Sequence, residues 1–142
     1  MRASERRVLE ETYASWAQRD LAATLARFDP DVVFVIHLPP DVGPYVGEVR
    51  GRAQLAKTLQ MILDDFDFLD YRALQITADG ESFHSRIRFH YRHKATGLDY
   101  DGTMRHVWQV AGGMIVRFEE FHDAQRVRTF FAMVTQALGH TR

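Results

Sequence analysis

Ser82 to Asp123, SFHSRIRFHYRHKATGLDYDGTMRHVWQVAGGMIVRFEEFHD, is the stretch on which the fold turns. β-Branched and aromatic residues recur between two Gly-containing breaks, KATG at 94–97 and AGG at 111–113, so it reads as three strands joined by tight turns. Just upstream, FLDYRALQIT (68–77) and the turn ADGE (78–81) add another strand. Strands joined by hairpins run antiparallel, which predicts a mostly antiparallel sheet.

Helical spacing surrounds this block. Val8, Leu9, Thr12, Tyr13, Trp16 and Ala17 recur along one face of a first helix, with Ser4 placed to cap it. Asp20 caps a short second helix, LAATLARF, which stops before Asp29-Pro30. VVFVIHL (32–38) reads as a buried strand, and PPDVGPYVGEVRG (39–51) as a loop. RAQLAKTLQMILDDF restores the helical period, and AQRVRTFFAMVTQAL forms a last helix stopped by Gly139. The prediction is an α+β fold, one domain over 1–142, with helices packed on one face of the sheet.

Composition narrows the function. The 142 residues are 46% hydrophobic and 26% charged, as in a globular protein, and carry a formal net charge of −1. That balance offers nucleic acid or an anionic membrane no global attraction. There is no cysteine, which removes disulfides, thiolate nucleophiles and cysteine-based zinc sites. The N-terminus is charged from the start and no apolar run reaches 18 residues, so a cytoplasmic location is expected. No histidine pair has helical metal spacing, so no metal and no cofactor are expected.

Strand parity sorts the charges. Phe83, Ser85, Ile87, Phe89 and Tyr91 form the inner side of their strand, opposite His84, Arg86, Arg88, His90 and Arg92. Setting His93 opposite Asp99, and Val110 opposite Gly113 across an Ala111-Gly112 turn, brings Asp101, Arg105, Glu120 and His122 inward beside Val107, Val116 and Phe118. Opposite side chains have Cβ atoms about 5 Å apart, so Asp101 is expected to orient His122 and Arg105 to hold Glu120. A slip of one residue would reverse these faces. His106, Arg117 and Glu119 then lie outside. Met104, Trp108, Ile115 and Phe121 share that outer face with the arginines, a mixture suited to a homodimer through the outer sheet face.

The element order, with GPYVGEVRGRAQL (43–55) and GGMIVRFEEFHDAQRVRTFF (112–131), resembles the nuclear transport factor 2-like superfamily and its SnoaL-like and ketosteroid isomerase-related branch. The resemblance covers nearly the whole chain. It implies a curved sheet wrapped by three to four helices into a cone with a hydrophobic cavity, and frequent dimerisation through the outer sheet face. The isomerase's tyrosine, base and second acid fall on Thr12, Ile36 and Arg105, so steroid isomerisation is disfavoured. The same alignment puts Arg105, Phe118 and His122 on the cavity face. The acid that SnoaL-like cyclases carry at the end of the last strand resembles Asp123, with His122 as its partner. The epoxide hydrolase's Asp, Arg and Asp set resembles Asp101, Arg105 and Glu120 in residue type alone.

The expected function is binding of a small hydrophobic molecule, with cofactor-free acid–base chemistry of the isomerase, cyclase, dehydratase or hydrolase type. His122, Asp101, Glu120 and Asp123 are the candidate catalytic groups. Arg105, Phe118, Tyr13, Trp16, Phe89, Tyr91 and His37 are the candidate binding residues. Two roles stay open for Asp123, a site acid or the cap of the last helix. The alternative function is a non-catalytic ligand-binding or dimerising scaffold.

Overall fold

Short polar side chains and glycines punctuate the chain. Ala23 N–H donates to Asp20 Oδ1 at 3.0 Å, capping the second helix as expected. Gln125 and Arg126 N–H groups donate to Asp123 Oδ1 at 3.0 and 3.2 Å, capping the last. Ser4 does not cap the first helix but lies within it.

In the computed structural model, residues 2–42, 44–45 and 47–139 are described. The elements are α1 (Arg2–Ala17), α2 (Leu21–Leu25), β1 (Phe28–His37), β2 (Gly47–Arg50), α3 (Arg52–Asp65), β3 (Phe66–Asp79), β4 (Ser82–His93), β5 (Asp99–Ala111), β6 (Met114–Phe121) and α4 (Ala124–Gly139). β2 comes from the expected loop, where it pairs antiparallel with Val33–Ile36 of β1. Gly43 and Val46 of that loop lie outside the described residues. Among the described residues no helix is long and apolar enough to cross a membrane.

The six strands form one open, mixed sheet in the order β2-β1-β6-β5-β4-β3. All neighbouring pairs are antiparallel except β1 and β6. Bulges in β3, near Leu69 and Leu74, and in β6, at Val116, interrupt the pairing and bend the strands.

The register differs from expectation at both hairpins of β5. His93 N–H donates to Leu98 O at 2.8 Å, so the KATG loop closes one residue earlier than predicted and Ser85 faces His106, Ile87 faces Met104 and Tyr91 faces Tyr100. On the other side Ala111 pairs with Met114, leaving Gly112 and Gly113 as the turn at φ 59° and 78°. Two successive positive φ values suit a tight hairpin turn, and glycine adopts them without a Cβ penalty. The bulge at Val116 then restores the parity of β6, so Trp108 meets Phe118 and His106 meets Glu120. β4 keeps its predicted faces, β6 keeps them from Arg117 onward while Ile115 turns inward in place of Val116, and β5 is inverted.

The core follows from that inversion. Trp16 and Leu9 of α1, Phe34 of β1 and Leu59 of α3 pack against Ile87, Met104, Trp108 and Phe118 of the sheet. Fully burying each large apolar side chain contributes about 1.5–3 kcal/mol. Met104, Trp108 and Ile115, assigned above to the outer face, are 4%, 2% and 0% exposed. The outer face keeps Phe121 and is otherwise laced with exposed ion pairs such as Arg88–Asp101 and Arg92–Asp99. Such pairs add little stability.

Candidate functional site

Four elements bring their polar side chains to one line inside this apolar core. Trp108 Nε1 of β5 lies 2.7 Å from the Tyr13 hydroxyl of α1 and 3.0 Å from Ser85 Oγ of β4, and the two hydroxyls touch each other. Tyr13 Oη lies 2.7 Å from His106 Nδ1. His106 Nε2 lies 2.8 Å from Glu120 Oε1, and His122 Nε2 lies 2.7 Å from Glu120 Oε2. The line therefore runs from Trp108 through Tyr13, His106 and Glu120 to His122.

Hydrogen-bond chemistry orients it. Burial alone would push the Glu120 carboxyl up, but the charge and hydrogen bonds of His122 and His106 outweigh it and hold it well below the ordinary range. An ionised carboxylate only accepts, so both imidazoles donate through Nε2. Burial pushes His106 below the ordinary imidazole value and so favours the neutral ring, an effect that Glu120 offsets only in part. A neutral His106 with its proton on Nε2 has a lone pair on Nδ1, and the Tyr13 hydroxyl donates to it. Burial, in turn, raises the Tyr13 phenol far above its ordinary value, so it keeps the proton it donates. At the far end His122 Nδ1 is buried with no hydrogen-bond partner.

Around this line lies a cavity of about 110 Å³. Its walls are mainly aromatic and aliphatic, with Trp16, Tyr71, Tyr91 and Phe118 among them, and Val127 and Phe131 of α4 close one side. Tyr45 and Phe131, with ring centres 6.3 Å apart, line both this cavity and a neighbouring groove, and the Tyr45 hydroxyl is tied to Asp65. Among the described residues no three His, Asp or Glu side chains are grouped to hold a metal ion.

Of the residues singled out from the sequence, Tyr13, Trp16, Tyr91, Phe118, Glu120 and His122 line the cavity. Phe89 lies behind the wall, 1% exposed and packed on Tyr91 and Tyr100. Asp123 stands at the N-cap of α4. Three expectations are corrected. Asp101 is on the outer face, paired with Arg88 at 3.0 Å, and does not orient His122. Arg105 is also outside, over the Phe121 ring at 5.4 Å, and does not hold Glu120. His37 is exposed, stacked on Phe121 and 2.9 Å from Glu119. The first two follow from the inverted β5; His37 follows from the outward parity of the last residue of β1.

His106, placed outside by the sequence reading, takes the position expected of Asp101 and Arg105. Two signals pointed to it. Tyr100, Met104, His106, Trp108 and Val110 make the even side of β5 the more apolar one. The Gly112-Gly113 pair also marks the turn better than Ala111-Gly112, because both central residues need positive φ.

The protonation scheme has a measurable consequence. Below about pH 6.5 an unfolded histidine binds a proton that folded His106 refuses, so folding stability falls as the pH falls. Glu120 acts in the same sense lower down: its stabilisation is complete above about pH 4.3 and is lost as pH drops through its depressed folded value. Urea midpoints are expected to decline between about pH 7.5 and 5.5, and His106→Gln to flatten that decline while leaving the steeper acid limb. An unchanged slope in the variant would rule out a neutral, buried His106.

Comparison with known proteins agrees with this architecture. A provisionally assigned isomerase from Bacillus subtilis superposes with a TM-score of 0.80 at 17% identity, over 92% of this chain and 94% of that one. A nuclear transport factor 2-like protein from Burkholderia thailandensis gives 0.76 at 21% identity, over 91% and 96%. A provisionally assigned polyketide cyclase from Xanthomonas campestris gives 0.74 at 21% identity, over 90% and 96%. At such identities these likenesses show the fold. No curated protein matches the chain in sequence. The SnoaL-like domain model matches residues 9–118, and with it the chain belongs to the SnoaL-like family of nuclear transport factor 2-like folds.

Proposed function

We propose that the cavity binds a small, largely apolar molecule and that His122, oriented by Glu120, exchanges a proton with it. The observation that carries this reading is the hydrogen-bonded line ending at His122, whose Nδ1 is buried without a partner and whose ring belongs to a cavity otherwise walled mainly by apolar and aromatic groups. Nearly all buried polar atoms in proteins find a partner, so one that does not calls for a functional or structural explanation. Glu120 holds His122 with its proton on Nε2, so Nδ1 of the neutral ring offers a lone pair. When that nitrogen takes a proton, the resulting imidazolium faces a carboxylate 2.7 Å away, which stabilises the new charge. The reaction class that fits is cofactor-free proton transfer, as in isomerisation, cyclisation or dehydration.

A thermal-shift screen of aromatic ketones, terpenoid alcohols and lipophilic amines tests the binding half. A ligand present at about 100 times its Kd adds roughly 2.7 kcal/mol, several degrees in a chain of this size. No shift from any compound at millimolar concentration would remove the case for a ligand cavity of this kind.

A further inference from the structure

The electrostatics of the cavity narrow the ligand class, given the reading that it binds a small molecule. Its lining includes one carboxylate, Glu120, and no lysine or arginine among the described residues. The carboxylate is hydrogen-bonded by two imidazoles, one on each oxygen, and a carboxylate has about four lone-pair sites, so each oxygen keeps acceptor capacity. His106 is neutral and cancels none of the charge. The described lining thus carries an acidic group with no lysine or arginine to balance it. Its field reaches the walls: burial is the main cause that raises the phenols of Tyr13, Tyr71 and Tyr91, and the Glu120 carboxylate adds to it in each. Those walls, with Trp16, present electron-rich ring faces, which attract a cation most strongly where water is excluded.

From this arrangement we infer that the cavity selects a lipophilic amine, bound as its cation between the aromatic walls and Glu120, and rejects carboxylates. Titration calorimetry with benzylamine, benzyl alcohol and benzoate, three probes of one shape and different charge, provides the test. Wild-type protein should bind benzylamine about tenfold or more tighter than benzyl alcohol, and benzoate most weakly. In Glu120→Gln the amine should fall to the level of the alcohol, while the alcohol stays within about threefold. Equal or better binding of benzyl alcohol or benzoate by the wild-type protein would overturn the amine assignment and leave the ligand cavity standing. Binding of none of the three would overturn both. The wild-type ranking decides even if the variant fails to fold.

Discussion

Replacing Glu120 with Ala is expected to lower the unfolding free energy by about 3 kcal/mol, because it removes the acceptor that two buried imidazoles share. Both Nε2 donors, at 2.8 and 2.7 Å, lose their partner at once. His106 cannot escape by moving its proton to Nδ1 without cost, since the Tyr13 oxygen it would then face already receives the Trp108 N–H and contacts the Ser85 hydroxyl. Each orphaned donor costs about 1–3 kcal/mol, and recovering the desolvation of the carboxylate offsets only part of that sum. For a chain of this length the midpoint of thermal unfolding should drop by roughly 10 °C. Glu120→Gln should lose about half as much, because its carbonyl still accepts from one ring. Denaturant unfolding followed by tryptophan fluorescence reads both numbers, Trp108 being one of two tryptophans and part of the same network. A loss below about 1 kcal/mol in Glu120→Ala would mean that the two imidazoles do not depend on this carboxylate.

The second large effect concerns turnover. For any ligand from the screen that the protein transforms, His122→Ala should reduce kcat by roughly 10²–10⁴-fold, the range for losing a positioned general base. The stability change should be small by comparison, since the His122 ring makes one hydrogen bond and leaves its other nitrogen unpartnered. Glu120→Gln should also lower kcat, since the neutral amide no longer stabilises an imidazolium, and it can be assayed wherever it folds. Unchanged kcat in His122→Ala, with the ligand still bound, would leave the cavity as a binding site without proton transfer at this ring.

Arg126 shows a kind of contact that local pattern does not encode. Its side chain crosses the inner face at Gly102, where a Cβ would come within 2.4 Å of Nη1, and reaches the Asp101 carbonyl and the Tyr100 ring. Gly102 thus leaves room for a guanidinium that helps fasten α4 beside the cavity. In the sequence it is simply one small residue in a strand, and only the arrival of α4 gives it a purpose.

Much of the fold could be read from the chain because its causes are local. Alternating side chains assign the faces of β4 correctly, and those of β6 beyond its bulge, since both stretches carry a clear apolar side, whereas Ile115 and Val116 before it exchange sides. Helical spacing places α1, α3 and α4 within a few residues, polar caps mark the starts of α2 and α4, and the likeness to nuclear transport factor 2-like proteins follows from the order of these elements. β5 resisted because its side depends on where two turns close. One residue at the KATG loop moves Asp101 and Arg105 outside and His106 and Trp108 inside, and a compensating bulge at Val116 hides the shift from the parity of β6. By itself, then, the sequence determined the α+β class, the element order apart from β2, and the inward placement of Phe118, Glu120 and His122, all set by periodicity within single segments. The tertiary structure alone decided who meets Glu120. That choice rests on the pairing of β5 with β6 and on the docking of α1, which carries Tyr13 across to Ser85, 72 residues away in the chain. Such long-range pairings answer to the packing of the whole core, which no single segment spells out.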